Sequence, residues 1–257
     1  MALLEVEELT KSFGGVTAIA DLHFEVPESC VYSVIGPNGA GKTTLFNMLC
    51  GIYHPDEGSI RFEGEELIGR APHGVAEVGI SRTFQNLQMF FNMSVLDNVM
   101  VGCHLRTKGR IWNAALRLPA ILREEQQAQE WARDALSFCQ LDPYVDHQAD
   151  ALPYGVLKRL EIARALAAKP RLLLMDEPAA GLNDTETVEM RGLIRRISES
   201  GITVLLVEHN MGLVMQVSDH ILVLDYGSRL AEGTPKEIQN NEKVIQAYLG
   251  GEVQYAV

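Results

Sequence analysis

The sequence contains few cysteines and no long hydrophobic run, and both absences narrow the classes of protein that it can encode. Its four cysteines, Cys30, Cys50, Cys103 and Cys139, lie far apart and form no C-x-x-C pair. This spacing favours neither a zinc site nor a disulfide framework, so we expect reduced thiols. The N-terminus lacks a basic region followed by an apolar one, and no apolar run reaches the length of a membrane span. We therefore expect a chain that is neither secreted nor membrane-spanning.

Basic residues are also scarce relative to acidic ones. The chain has 22 Lys and Arg against 34 Asp and Glu, which gives a formal net charge of −12. Because nucleic-acid binding draws most of its affinity from neutralised phosphates, this balance argues against a nucleic-acid partner. The 257 residues, 47% of them hydrophobic, are enough to bury a substantial core in one large domain or two subdomains.

The segment 36–43 is the most informative part of the chain. It reads GPNGAGKT and fills every fixed position of the G-x-x-x-x-G-K-[ST] phosphate loop. A β-prone run at 31–35 precedes it and a helix-prone run at 44–49 follows it. In such a turn the backbone N–H groups surround a β-phosphate, and the following helix directs its positive dipole end at the same anion. The predicted phosphate-binding residues are Gly36, Pro37, Asn38, Gly39, Ala40, Gly41, Lys42, Thr43 and Thr44. In this loop Lys42 supplies a mobile cation, and Thr43 can ligate magnesium.

Two further strand ends carry residues suited to the same chemistry. The apolar run at 172–175 ends in Asp176 and Glu177, and His209 follows the apolar run at 203–207 by two residues. Beside a phosphate loop, Asp176 is placed to hold magnesium, Glu177 to polarise the attacking water, and His209 to donate a hydrogen bond to the γ-phosphate. Taken alone, a carboxylate pair of this kind is often a solvated turn and a lone histidine usually a packing residue. The phosphate loop reverses that balance.

The pattern along the chain predicts an α/β fold. Short β-prone runs at 4–9 and 22–26, and a hairpin near 55–64, suggest strands that flank the nucleotide site. A helical insertion is predicted from 95 to 141. Strands at 172–175 and 203–207 then alternate with helices at 159–168 and 187–198, which predicts a largely parallel sheet covered on both faces. The tail, 235–249, is predicted to form a short helical cap.

The order of the motifs resembles an ABC transporter ATPase subunit over nearly the entire chain. The motifs are the phosphate loop, Gln85, LPYG at 152–155, MDEP at 175–178 and His209. The segments GISRTFQN (79–86), LEIARAL (160–166), EPAAGLN (177–183) and YLG (248–250) resemble the branched-chain amino acid uptake branch of that family. The resemblance implies a P-loop NTPase (RecA-like) core with a mostly parallel sheet, an N-terminal antiparallel β subdomain and an inserted α-helical subdomain. The expected bounds are 1–86 and 160–235 for the core, 87–159 for the helical subdomain and 236–257 for the tail.

The resemblance also implies roles for individual residues, with ATP and Mg2+ as the cofactors. Phe13 matches the aromatic residue that stacks on adenine, and a phenyl ring suffices because stacking needs only a π-face. Gln85 matches the residue that touches magnesium and links nucleotide state to the helical subdomain. The catalytic residues are then Glu177, His209 and Lys42, and the metal ligands are Thr43, Gln85 and Asp176. Either Asn183 or Asp184 takes the place of the aspartate in the partner-facing loop.

The segment 152–156 departs from the Leu-Ser-Gly-Gly-Gln signature of the family. Pro153, Tyr154 and Val156 replace three of its residues, and Gly155 keeps the central role. Losing a neutral donor to a charged phosphate costs roughly 1.5–3 kcal/mol if nothing compensates, which would weaken one composite site without abolishing its function. The uptake branch often has Ala or Pro before Tyr-Gly, so the departure does not predict an inactive site. Pro153 is tolerated because a helix is predicted to begin here, where the first N–H groups lack intrahelical partners. The backbone N–H groups of Tyr154 and Gly155 stay available to nucleotide.

The implied partners are a second ATPase chain that meets this one head to tail, permease subunits that span the membrane and, through them, a substrate-binding protein. The second chain is either a related one, as this branch usually has, or another copy of the same chain. The implied location is peripheral, on the cytoplasmic face of the inner membrane. The leading interpretation is an importer of branched-chain or related amino acids. The alternatives are a regulatory, degenerate nucleotide-binding subunit and the ATPase of a lipid or lipopolysaccharide exporter. The RTFQ stretch at 82–85 and the helical insertion around 111–129 favour uptake.

Overall fold

The structure is a computed structural model that describes residues 2–85, 87–107 and 119–250. The described residues form ten strands: β1 (Ala2–Phe13), β2 (Val16–Pro27), β3 (Val31–Ile35), β4 (Glu57–Phe62), β5 (Glu65–Glu66), β6 (Ile80–Arg82), β7 (Leu172–Asp176), β8 (Thr203–Val207), β9 (His220–Asp225) and β10 (Ser228–Gly233). They also form nine α-helices: α1 (Lys42–Leu49), α2 (Pro72–Glu77), α3 (Val95–Gly102), α4 (Pro119–Phe138), α5 (Tyr154–Ala167), α6 (Asp184–Glu199), α7 (Met211–Val217), α8 (Pro235–Gln239) and α9 (Glu242–Gly250).

Six strands form the central sheet in the order β10-β9-β3-β8-β7-β6. Every neighbouring pair from β9 to β6 is parallel, and β10 is an antiparallel edge strand. All residues of β3, β7 and β8 are buried, as expected for parallel strands with both faces covered. The predicted, mostly parallel core is thereby confirmed.

Alternate residues of the central strands pack into two different cores. Leu172 and Leu205 face a cluster that includes Leu4 and Phe24 of the second sheet. That sheet is antiparallel in the order β2-β1-β4-β5, and it confirms the predicted antiparallel β layer and the hairpin near 55–64. On the other face, Leu173 packs with residues of α3, α4, α5 and α6. The central sheet is thus covered by a β layer on one side and helices on the other.

Helices α3, α4 and α5 pack against one another beside the sheet. The Ser94 side chain caps α3 by accepting a hydrogen bond from the Asp97 N–H at 3.1 Å. The predicted helical insertion is confirmed by α3 and α4, while residues 108–118 of that prediction, which include part of the 111–129 stretch, lie outside the described residues. Asn86 and the end of the predicted tail, 251–257, lie outside them as well. The subdomain boundaries stay predictions.

Several elements differ from the sequence prediction. Helix α5 begins at Tyr154, five residues before the start at 159 that the helical pattern predicts. Pro153 occupies its N-cap position, which agrees with the helix start predicted at the signature segment. The tail forms two short helices, α8 and α9. Helix α7 and strands β9 and β10 were not predicted. Strand β10 gives little sequence signal because none of its residues is fully buried, whereas the buried ILVL run of β9 is a signal that was present in the sequence.

Candidate functional site

Three strand ends meet at one edge of the central sheet. In the parallel registers, Val34 lies beside Val207, and Val207 lies beside Asp176. The phosphate loop follows β3, Glu177 follows β7 and His209 follows β8. These three parts of the predicted site therefore lie at the same edge of the sheet. Ligands of parallel α/β sheets bind outside the carboxyl ends of the strands, so this edge is the expected site.

The phosphate loop is packed tightly against β2. At Gly41, which has φ 101°, a Cβ atom would lie 2.4 Å from the Ala18 carbonyl oxygen, so only glycine fits. Helix α1 begins at the next residue, and no side chain caps its N-terminus. The first N–H groups of a helix have no intrahelical acceptor, and together with the helix dipole they favour an anion. This arrangement fits the phosphates of a nucleotide.

The Lys42 ammonium group is held rather than mobile, which differs from the expectation. Its Nζ donates hydrogen bonds to the carbonyl oxygens of Gly36 at 2.6 Å and Pro37 at 2.9 Å, and the residue is only 7% exposed. Burial lowers the pKa of Lys42, and the carboxylates of Glu177 and Asp176 oppose that shift. The ammonium group of Lys42 therefore lies against the backbone of the phosphate loop.

Glu177 contacts two other predicted residues that lie outside the phosphate loop, Gln85 and His209. Its Oε1 lies 2.8 Å from His209 Nε2, and its Oε2 accepts a hydrogen bond from Gln85 Nε2 at 3.1 Å. The backbone of Glu177 has φ 49°, a left-handed conformation that costs energy for a residue with a side chain. Such strain concentrates at functional sites. The Glu177 carboxylate therefore lies directly after β7, and Gln85 and His209 each contact one of its oxygens.

The proposed magnesium ligands are oxygen groups of the kind that this ion prefers. Thr43 lies exposed in the first turn of α1, and Asp176 is 5% exposed at the end of β7. Within the described ranges, no group of three or more His, Cys, Asp and Glu side chains is arranged to hold a metal. Mg2+ in phosphate-transfer sites is usually bound by one or two protein oxygens together with substrate phosphates and water. Thr43 and Asp176 fit an ion held in that way.

The predicted adenine platform is exposed and supported from one side. Phe13 is 44% exposed, and its ring makes an edge contact with Tyr53 at 5.3 Å between centroids. Lys11 Nζ lies 5.4 Å from the Phe13 centroid and is paired with Asp56 at 2.7 Å. Phe13 therefore keeps exposed ring surface on which a base can stack, beside its contacts with Tyr53 and Lys11.

The signature segment is placed against the loop after Glu177. The 44% exposed ring of Tyr154 lies against Gly181, and a Cβ atom at Gly155 would lie 2.4 Å from Glu186 Oε1. Asn183 is engaged as the N-cap of α6, where its side chain accepts from the Glu186 N–H at 3.0 Å. Among the described side chains, no hydrogen bond joins Tyr154 or Gly155 to the phosphate loop of the same chain.

Glu208 belongs to the site and was not predicted. It is 4% exposed, and it accepts hydrogen bonds from the backbone N–H groups of Ala179 at 2.7 Å and His209 at 3.1 Å. Burial raises its pKa, and the nearby Glu177 carboxylate adds to the rise. The signal was present in the sequence, since Glu208 follows a buried strand just as Glu177 does. Arg82 was also missed, and its guanidinium donates to Asp176 at 2.9 Å.

A groove of about 490 Å3 opens between the central sheet and the helical layer, next to Gln85. Its lining includes Val75 of α2, Phe84, Phe90 and Arg164 of α5. The segment that leads to Gln85 is bound to α5 at this groove. Glu161 accepts from the Phe84 N–H at 3.1 Å, and Lys158 Nζ donates to the Gln85 carbonyl at 3.2 Å.

Two family models and the similar proteins of known sequence all point to the same family. A family model described as "ABC transporter" matches residues 19–180, and one described as "Branched-chain amino acid ATP-binding cassette transporter" matches residues 228–254. The high-affinity branched-chain amino acid transport ATP-binding protein BraF of Pseudomonas aeruginosa is 46% identical over 249 residues, which cover 96% of this chain and 98% of the relative. The corresponding LivG protein of Escherichia coli is 42% identical over the same shares.

The fold is also similar to a solved structure of an ATP-binding cassette of an ABC transporter in its ADP conformation. The TM-score is 0.85 at 33% sequence identity, and the match covers 97% of this chain and 99% of the other. The P-loop NTPase fold predicted from the motifs is thereby confirmed.

Replacing Lys42 with Ala is expected to weaken binding of ATP about ten- to a hundredfold, because a charge-assisted contact to phosphate is lost. Titration of the purified chain with a fluorescent ATP analogue measures this change. The exposed Lys236 offers a matched control, and Lys236→Ala should bind as the wild type does. Equal affinity of the Lys42→Ala variant and the wild type would contradict the assignment of the phosphate site.

Proposed function

The chain belongs to the ABC transporter ATP-binding family, because the family model covers well over half of it and relatives 42–46% identical span nearly all of it, and we propose that it powers the uptake of branched-chain amino acids. In this role it binds ATP, hydrolyses it and passes the resulting conformational change to permease subunits in the membrane. The matches on the C-terminal segment and the printed names of the relatives support amino acids as the cargo.

The observation that carries the proposal is the Gln85–Glu177–His209 arrangement beside the phosphate loop. With the γ-phosphate bound at the loop, Glu177 orients a water molecule for attack and accepts its hydrogen bond. In the structure His209 Nε2 contacts the Glu177 carboxylate; in this proposal it donates to the γ-phosphate once the nucleotide is bound. Thr43, Gln85 and Asp176 would hold Mg2+, which would supply positive charge to neutralise the charge that develops on the phosphate oxygens. Phe13 stacks on the adenine ring.

A second ATPase chain completes each site in this proposal. The signature segment begins α5 with Pro153 at the N-cap, and no side chain caps the N–H groups that follow. In this proposal the exposed Tyr154 and the adjacent Gly155, which is buried beside Glu186, offer their backbone N–H groups to the nucleotide of a partner that meets the chain head to tail. The departures at Pro153, Tyr154 and Val156 suit a heterodimer of two related chains in which the two composite sites differ in strength.

The groove beside Gln85 is the proposed docking site of a permease segment. Its rim exposes aromatic side chains, with Phe84 39% and Phe90 45% exposed. A short cytoplasmic segment of a membrane subunit with apolar side chains fits a groove of this size, since such grooves take helices by their apolar face. Glu161 and Lys158 fix the Phe84–Gln85 segment from α5. A movement of the docked segment would therefore shift the Phe84–Gln85 segment, and with it the hydrogen bond between Gln85 and Glu177.

In this proposal the chain is a peripheral subunit at the cytoplasmic face of the inner membrane, and a substrate-binding protein acts through the permease. Among residues 2–85, 87–107 and 119–250, no helix combines the length and apolarity that a bilayer span requires. The lipid-exporter alternative has less support, because the C-terminal match is to branched-chain amino acid cassettes. The regulatory alternative rests on the altered signature segment alone.

Changing Glu177 to Gln is expected to leave ATP affinity intact and to reduce turnover at least about a hundredfold, because general-base and water-orienting groups contribute on that scale. Nucleotide titration and phosphate release, measured on the transporter assembled with its companion subunits, separate the two effects. Glu199→Gln, at an exposed position of α6, is the matched control.

Unchanged phosphate release by the Glu177→Gln variant would refute the assigned role. In the same assembly, undiminished turnover after Lys42→Ala would favour the regulatory alternative, in which the companion chain does the hydrolysis.

Replacing Phe90 with Ser is expected to reduce recovery of permease subunits with the tagged chain, because an apolar contact in the groove is lost. The Phe90 N–H donates to Asn98 Oδ1 at 3.0 Å, and Asn98 Nδ2 donates to the Phe90 carbonyl oxygen at 2.9 Å. The loop should therefore keep its shape in the variant. Affinity purification from membranes followed by mass spectrometry measures the recovery. Tyr226→Ser removes an aromatic ring that is 87% exposed elsewhere and serves as the control. Equal recovery with both variants would exclude the groove as the docking site.

A further inference from the structure

Arg82 lies between the groove and the predicted magnesium ligand. It ends β6, the edge strand that pairs in parallel with β7, and its side chain is only 9% exposed. Its Nη2 donates to Asp176 Oδ2 at 2.9 Å, and its Nη1 donates to Asn47 Oδ1 of α1 at 2.7 Å. One guanidinium therefore ties the helix after the phosphate loop to the strand that ends in Asp176.

Two aromatic rings keep this guanidinium in place. Its central carbon lies 5.6 Å from the centroid of Phe46 and 5.2 Å from the centroid of Phe84, both within the range of a cation–π contact. Phe46 belongs to α1, and Phe84 directly precedes Gln85. Arg82 and Phe84 also line the groove described above. The side chain thus contacts α1, the end of β7 and the segment that leads to Gln85.

We propose that Arg82 is a positioning residue for magnesium binding, acting through Asp176; this inference rests on the proposed function. Its bond to Oδ2 fixes the carboxylate. Oδ1 accepts no hydrogen bond from any residue that the structure describes, and it stays available to the metal. Hydrogen-bond partners of this kind orient metal-binding carboxylates and raise the affinity of the site. They do so without touching the ion.

The chemistry of the contact requires arginine. The planar guanidinium serves Asp176 and Asn47 with two different nitrogens while it lies against Phe46 and Phe84. A lysine ammonium is a single point charge on a flexible stem and cannot fill all four contacts at once. A carboxylate buried to 5% exposure also needs a partner, because an unpaired buried charge is costly.

The test measures metal affinity directly on the full-length chain. Free Mn2+, a spectroscopically visible substitute for Mg2+, is counted by electron paramagnetic resonance in the presence of a saturating, non-hydrolysable ATP analogue. Binding of the same analogue in EDTA is measured by calorimetry, and thermal unfolding monitors folding. The variants are Arg82→Met, Arg82→Lys and Asn47→Ala. Arg70→Met, at a surface arginine paired with Glu65, is the matched control.

We expect Arg82→Met to weaken Mn2+ binding about 10- to 100-fold, because losing the hydrogen-bond partner of a metal ligand has an effect of that size. Arg82→Lys should lose nearly as much, Asn47→Ala less, and Arg70→Met nothing. Affinity for the analogue in EDTA should stay at the wild-type value in all four variants. This split separates positioning of the metal ligand from a purely structural role, which would lower both affinities together.

Wild-type Mn2+ affinity in Arg82→Met and Arg82→Lys would overturn the proposal, as would a matched fall in both affinities. If Arg82→Met does not fold, the result with Arg82→Lys and Asn47→Ala decides in the same way. Failure of the wild-type chain to bind the analogue with metal would instead overturn the proposed function. The two failures are therefore distinguishable.

Discussion

The parallel pairing of β3, β8 and β7 is the constraint on which the rest of the structure depends. Because the three strands run in the same direction and in a fixed register, their carboxyl ends reach one edge of the sheet together. Segments far apart in the chain then meet there: the phosphate loop, Glu177 and His209. A slip of register by one residue would turn these side chains to the opposite face of the sheet and disperse the site. The two hydrophobic cores, one on each face, prevent that slip.

The site concentrates charge in a buried setting, and each charge has a partner. Lys42 is held by loop carbonyls, Asp176 by Arg82, and Glu177 by Gln85 and His209. Glu208, whose pKa is raised by burial and by Glu177, accepts backbone N–H groups from both neighbouring loops. Paired charges in a low-dielectric setting are fixed in direction, which prepares the edge for a highly charged substrate. Arg82 connects this site to the groove next to Gln85, because the side chain that holds Asp176 also lines that groove.

Much of the fold and of the site could be predicted from the sequence, because local patterns encode them. The phosphate loop, the strand that ends in Asp176 and Glu177, and the position of His209 after an apolar run are all short-range signals. Arg82 was missed because its role depends on Asp176, a partner that is distant in sequence. The held state of Lys42 likewise depends on loop geometry that no residue pattern specifies. Glu208, by contrast, directly follows the apolar run of β8, so the reasoning applied to Glu177 could have found it. Strand β10 was missed because an edge strand carries no strong apolar alternation.

If these strand ends form one triphosphate site, a crystal structure of the chain with a non-hydrolysable ATP analogue and Mg2+ will show the nucleotide there. We expect the β-phosphate to lie against the backbone N–H groups at the start of α1. We also expect that Lys42 has turned from the Gly36 and Pro37 carbonyls toward phosphate oxygens, and that Glu177 faces the γ-phosphate. Triphosphate density elsewhere on the chain, with Lys42 still bound to its loop carbonyls, would contradict the account.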